Sequence, residues 1–121
     1  MIRVALLDDN QEDRKILMEY LRRFRIEENI QIEIASYDSG LEFLESYGGG
    51  YDVIFLDIEM PGLDGLEVSK EIRQMDEMAG IIFITNMAQY AICGYEVNAI
   101  DFMLKPVKYP NFSEKFKKAL D

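Results

Sequence analysis

The chain has 121 residues, 49% of them hydrophobic, which suits one domain with a single core and excludes a disordered chain. Its net charge of −10 argues against unaided binding to nucleic acid or anionic membranes, and no apolar run approaches the about 20 residues that cross a bilayer. With no His and a single Cys93, it lacks an internal disulfide and the usual zinc and iron ligands, so any metal must be a hard, oxygen-seeking ion, and a reducing cytoplasm is the expected setting.

Met1 leads directly into a strand, with no signal-peptide pattern. Ile2 to Leu7 is an apolar run broken only by Arg3, and it ends on Asp8 and Asp9. Asn10 is placed to cap the next helix, with Asp13 complementing its N-terminal dipole. Ile16, Leu17, Tyr20, Leu21 and Phe24 recur at helical spacing and predict one buried stripe. Ile30, Ile32 and Ile34 alternate with polar residues, as an edge strand does. Leu41, Phe43, Leu44 and Tyr47 predict a short second helix closed by Gly48-Gly49-Gly50.

Asp52 to Leu56 predicts a buried third strand that delivers Asp57 to its end, where Pro61, Gly62 and Gly65 turn the backbone away. Leu66, Val68, Ile72 and Met75 mark a third helix, and Gly80 to Thr85 a fourth, buried strand. Met87 to Tyr95 predicts a fourth helix weakened by Gly94. Ile100 to Leu104 is the fifth strand, followed by Lys105, and Pro110 opens a last helix carrying Phe112, Phe116 and Leu120.

Strand and helix alternate five times, which predicts an α/β fold: a doubly wound parallel sheet with helices on both faces. In the order 2-1-3-4-5, strands 1 and 3 lie side by side and their C-terminal ends open a crevice. Asp8, Asp9 and Asp57 then share that crevice, with Thr85 and Lys105 on the same rim. At about 5 Å and an effective dielectric of about 20, each pair of like charges costs about 3 kcal/mol. Either a proton affinity rises or a cation binds, and oxygen-only donors favour Mg²⁺ or Mn²⁺. Such a site equips Asp57 as a nucleophile for phosphoryl transfer, with Lys105 as a positive charge and the Thr85 hydroxyl as a donor toward the phosphoryl oxygens. Taken singly, each feature has a plainer reading. Asp8-Asp9 suits a solvated turn, Asp57 a turn start, Thr85 a strand end, Lys105 a solvated charge and Phe102 a core strand. The plain readings are independent of one another, whereas the chemical one is shared.

These residues resemble a known family over the whole chain: the receiver domain of two-component response regulators. The resemblance rests on LLDD at 6–9, LDIEMPGLDG at 56–65, FIT at 83–85 and FMLKP at 102–106. The stretch YAICGYEVNAIDFMLKPV is also similar to receivers that precede LytTR-type DNA-binding domains. The resemblance implies a flavodoxin-like receiver fold over residues 1–121, with the output domain outside this chain. It implies that Asp57 accepts the phosphoryl group and that Asp9 and Asp57 ligate Mg²⁺ directly. Asp8 then acts through water, and Glu59 through its backbone carbonyl alone. Lys105 pairs with the phosphoryl group, the Lys105-Pro106 bond is cis, and Thr85 and Phe102 form the switch. The implied partners are a sensor histidine kinase, a second copy through the fourth helix, fifth strand and fifth helix, and DNA only through a separate output domain. No membrane is implied, and the implied catalysis is limited to the domain's own phosphorylation and dephosphorylation. Asn86 departs from the small residue often found there and is expected to crowd the crevice or reach the phosphoryl group.

Two other functions fit parts of the pattern. Asp57-Ile58-Glu59 is similar to the acid pair of haloacid-dehalogenase-type phosphatases, but their nucleophile ends the first strand and their second acid is Asp. A flavodoxin-like cofactor binder needs a Ser/Thr/Gly-rich loop after strand 1, where this chain has Asp8, Asp9, Asn10 and Gln11. The arginines Arg22, Arg23 and Arg25 suit a helix C-terminus or a kinase-docking face. Lys115, Lys117 and Lys118 suit a solvated helix face or salt bridges across a dimer.

Overall fold

The apolar runs become strands and the 3.6-period stretches become helices, in the computed structural model that describes Met1 to Asp121. In chain order the elements are β1 (Ile2–Leu7), α1 (Gln11–Glu28), β2 (Ile32–Tyr37), α2 (Gly40–Glu45), β3 (Val53–Asp57), α3 (Gly65–Met75), β4 (Gly80–Thr85), a 3-10 helix (Ala88–Val97), β5 (Asp101–Leu104) and α4 (Tyr109–Leu120). The five strands form one parallel sheet in the order β2-β1-β3-β4-β5, as the alternation predicts.

Because side chains alternate across a strand, each central strand feeds two cores. Val4, Leu6, Phe55, Ile82 and Ile84 face α1 and α4, meeting Leu21, Phe24, Phe112 and Phe116. Ala5, Leu7, Ile54, Leu56, Ile81 and Phe83 face the other way, onto Phe43, Val68 and Ile72. β3 and β4 are buried along their whole length, which explains why they read as unbroken apolar runs.

Local signals set the boundaries. Asn10 caps α1, its side chain accepting from the Asp13 N–H at 3.0 Å. Asp64 and Glu67 form a capping box at the start of α3. The Lys105-Pro106 peptide bond is cis.

Four expectations shift. β2 begins at Ile32, leaving Ile30 in the preceding loop. α2 ends at Glu45, so the glycine run lies beyond its cap, with Gly49 and Gly50 at positive φ. Ile16 and Met75 are exposed, because the buried stripes of α1 and α3 are narrower than the apolar pattern. The largest difference is the predicted fourth helix, which is a 3-10 helix. Met87 gives it no side-chain cap, and Tyr90, Ile92, Tyr95, Val97 and Gly94 are poor α-helix formers, so the segment tightens into 3-10 turns. Arg73 on α3 secures its end, donating through Nε to the Val97 carbonyl at 2.5 Å and through Nη2 to the Asn98 carbonyl at 3.3 Å.

Most of the cations are paired with acids within the chain. Arg22 pairs with Glu19, and Arg23 pairs with Glu27 at 3.0 Å while lying over the Tyr109 ring. Lys115 pairs with Asp101 at 3.1 Å, and Lys117 with Glu28 at 3.3 Å.

Candidate functional site

The parallel pairing of β1 with β3 puts Leu7 beside Leu56, so the next residues, Asp8 and Asp57, leave the sheet together. β4 delivers Thr85 to the same rim, and the Lys105 N–H donates to the Thr85 carbonyl at 2.7 Å, aligning the end of β5 with it. Beneath the rim, the start of α3 closes on the end of β3. A Cβ placed on Gly65 would stand 2.2 Å from the Asp57 carbonyl oxygen, which only glycine avoids.

One carboxylate oxygen from each of Asp8, Asp9 and Asp57 lies within 4.8 Å of the others. Asp8 and Asp57 are buried, at 0% and 1% exposure, while Asp9 faces solvent. The Lys105 Nζ stands 3.2 Å from Asp8 Oδ2 and 3.2 Å from Asp57 Oδ1, but it donates its hydrogen bond to Asp13 Oδ2, at 2.8 Å. Asp8 Oδ2 and Asp57 Oδ1 consequently have charge compensation from Lys105 without a hydrogen bond. The remaining Asp8 oxygen, Oδ1, accepts from the Asn10 N–H at 2.9 Å, and Arg14 grips the Asp8 carbonyl at 2.6 Å.

Burial, and then the charge of Asp8, push the Asp57 carboxyl from its ordinary 3.8 up to about 8, against the pull of Lys105. Burial alone would lower Lys105, but the hydrogen bond to Asp13 and the charges of Asp57 and Asp8 outweigh it and hold the ammonium above its usual range. The site is thus short of positive charge, and it presents buried carboxylate oxygens that lack hydrogen-bond donors. That donor set, oxygen only and partly solvent-facing at Asp9, fits a hard divalent cation such as Mg²⁺.

The buried Thr85 hydroxyl points to a different partner from the one the sequence suggests. It donates to Glu59 Oε1 at 2.5 Å, and the Asn86 N–H donates to the same oxygen at 3.2 Å. The Met87 N–H in turn donates to Thr85 Oγ1 at 3.0 Å. Glu59 Oε2 is buried and has no partner. The Asn86 residue is exposed, and it is its backbone N–H that is engaged. Phe102 lies on β5 opposite Phe83 and packs against the α2–α3 side of the core, with its carbonyl accepting from Lys115.

The structure therefore gathers Asp8, Asp9, Asp57 and Lys105, pairs Thr85 with Glu59, and leaves Phe102 in the adjoining apolar layer. Two contacts escape the sequence reading. Asp13 holds Lys105, a role hinted at by its place on the first turn of a helix that starts at the rim. The Glu59 side chain, read as irrelevant beside its carbonyl, holds Thr85. Its position two residues after Asp57, where the chain passes the end of β4, is the signal for that contact.

The family model described as response regulator receiver domain matches residues 4–117. The sensory transduction protein LytT of Oceanobacillus iheyensis is 37% identical over 113 residues, covering 91% of this chain and 44% of that protein. The transcriptional regulatory protein YpdB of Escherichia coli K12 is 39% identical over 83 residues, 67% of this chain and 34% of that protein. Here the chain spans less than half the length of these curated relatives. Among solved structures, the response regulator TrrA of Thermotoga maritima in complex with Mg²⁺-BeF superposes with a TM-score of 0.83 at 34% identity, covering 98% of this chain and 99% of that one.

Proposed function

The chain belongs to the response regulator receiver domain family, in the LytTR-type subgroup, and on that premise we propose that it is a phosphorylation-dependent switch with Asp57 as the acceptor. The observation that carries this reading is the convergence of Asp8, Asp9, Asp57 and Lys105 at the ends of β1, β3 and β5. In the proposed step an Asp57 carboxylate oxygen attacks the phosphorus held by a kinase phosphohistidine. The new bond is P–O, the broken bond is P–N, and the imidazole leaves. Hydrolysis later breaks the same P–O bond and returns the carboxylate and inorganic phosphate.

Asp9, Asp57 and the Glu59 carbonyl are the proposed ligands of Mg²⁺ or Mn²⁺, with Asp8 acting through water. When bound, that ion supplies charge neutralisation for the phosphoryl oxygens. Lys105 supplies a second positive charge to them, from a position Asp13 has already set. Asp8 and Asp13 keep the Lys105 ammonium charged and directed into the crevice. Thr85 and Phe102 are the proposed readout, passing the change to the 3-10 helix, β5 and α4.

That face exposes Ile92 (70%), Tyr95 (88%) and Leu104 (43%). A second copy of the chain is the occupant we propose, through apolar contact, because Lys115 and Lys117 are already paired within the chain. YpdB is a transcriptional regulatory protein, and we extend that role here, with DNA bound by a separate output domain. No helix is long and apolar enough to cross a membrane, and we place the domain's work in the cytoplasm beside its histidine kinase.

Acetyl phosphate with Mg²⁺ tests the acceptor. The wild type is expected to gain the mass of one phosphoryl group, labile to base, and Asp57→Asn to gain none. Equal labelling of the variant would remove Asp57 from this role.

A further inference from the structure

Thr85 has a single hydroxyl proton, and the structure commits it. The Oγ1–H donates to Glu59 Oε1 at 2.5 Å, while the Met87 N–H occupies the oxygen's acceptor side at 3.0 Å and fixes the hydroxyl's direction. The bond length is that of a charge-assisted O–H···O⁻ contact, the stronger class of hydrogen bond. The Asn86 N–H also donates to Glu59 Oε1, so one carboxylate oxygen gathers the donors that end β4. A hydroxyl held this way cannot donate to a phosphoryl oxygen on Asp57 at the same time.

We propose that Glu59 is a positioning residue that sets the resting state of the switch, its carboxylate holding Thr85 until a phosphoryl group on Asp57 displaces it. The inference rests on Asp57 being the acceptor. The exchange balances without any further reactant. Thr85 gives up Glu59 and donates to a phosphoryl oxygen, and the Glu59 carboxylate moves to water. Two features favour that exchange once charge is added at Asp57. Glu59 carries the same sign of charge as the incoming group, two residues along the chain. Its Oε2 is already buried without a partner, so leaving for water hydrates an oxygen that the resting state leaves unsatisfied. The resting state is thus held by two bonds to Glu59 Oε1, the short one from Thr85 and a longer one from the Asn86 N–H that water replaces on release, and it is opposed by one bare oxygen.

Thr85 is the only threonine in the chain, so threonine labelled with ¹³C at its methyl gives a single NMR resonance that reports on this contact. The resonance of the wild type is expected to move when Mg²⁺ and beryllofluoride are added. In Glu59→Ala it is expected to lie near the beryllofluoride position before any addition. Initial labelling by acetyl phosphate should rise about ten- to a hundredfold in that variant, the range set by losing a hydrogen bond to a charged group. Glu59→Gln keeps an acceptor oxygen without the charge and should fall between the two, and it carries the test if the alanine variant does not fold. A beryllofluoride shift in the wild type combined with an unmoved resting resonance in both variants would overturn the holding role alone. A wild-type resonance that ignores beryllofluoride would instead overturn the acceptor role on which it rests.

Discussion

At the scale of single residues, the site is organised by where one ammonium group can reach. Lys105 lies within 3.2 Å of both Asp8 and Asp57 and gives its hydrogen bond to Asp13, while burial and then the charge of Asp8 raise the proton affinity of Asp57 against the pull of Lys105. The sign of the pH dependence follows. A carboxyl that titrates near 8 when folded and near 3.8 otherwise keeps its proton longer in the folded chain. Its stabilising contribution is complete below the lower value and is lost as pH rises through the upper one. With EDTA present, the wild type should therefore lose thermal stability between pH 5 and 8, by at most about 1.4 kcal/mol per pH unit for one proton. Asp57→Asn should flatten that slope in melts followed by calorimetry, and parallel slopes would contradict the assignment. Asp8, Asp9, Asp57, Thr85 and Lys105 were legible as a group because each ends or follows a strand, and strand ends can be read from apolar runs. The contacts of Asp13 and Glu59 were not, since they depend on side-chain directions across 92 and 26 residues that no local pattern records.

At the scale of elements, strands and capped helices emerge where periodicity and end signals agree. Asn10, Asp64 and Pro110 mark helix starts as their chemistry requires. The segment Ala88–Val97 lacks such agreement. It has apolar residues without a clean stripe, no side-chain cap and a glycine near its end, and it folds as a 3-10 helix. Its end is held from outside by Arg73, which donates to the carbonyls of Val97 and Asn98 while also bonding the carbonyl of Asp76 at the end of its own helix. Arg73→Ala should destabilise the domain by about 1–3 kcal/mol, as expected for losing partly buried hydrogen bonds from a charged donor. Hydrogen exchange should accelerate most at the amides of Asn98 and Ala99, which bond back to Tyr95 and Gly94. Loss of protection spread evenly over β1 and β3 would show that Arg73 supports the sheet instead.

At the scale of the whole molecule, a net charge of −10 sits on a fold that concentrates several acids at one sheet edge. A divalent ion binding there relieves repulsion locally and stabilises the folded state by mass action. At a hundred times its dissociation constant, Mg²⁺ should add about 2.7 kcal/mol to unfolding stability, visible as a rise in melting temperature. The rise should disappear in Asp9→Ala, an exposed position whose loss leaves the core intact. A rise of the same size in that variant would point to general screening of the acidic surface. The doubly wound order was legible at this scale because five strand–helix units leave few right-handed arrangements.

Gly65 gives Asp57 its footing. With no space for even one carbon between the first turn of α3 and the peptide oxygen of Asp57, the helix rests directly on the backbone that carries the Asp57 side chain. A shift of that peptide toward the helix must push on its first turn, and an inward shift of the helix must push on the peptide. A displacement of the Asp57 backbone toward α3 is therefore met by the helix itself, through a joint made by the want of a side chain.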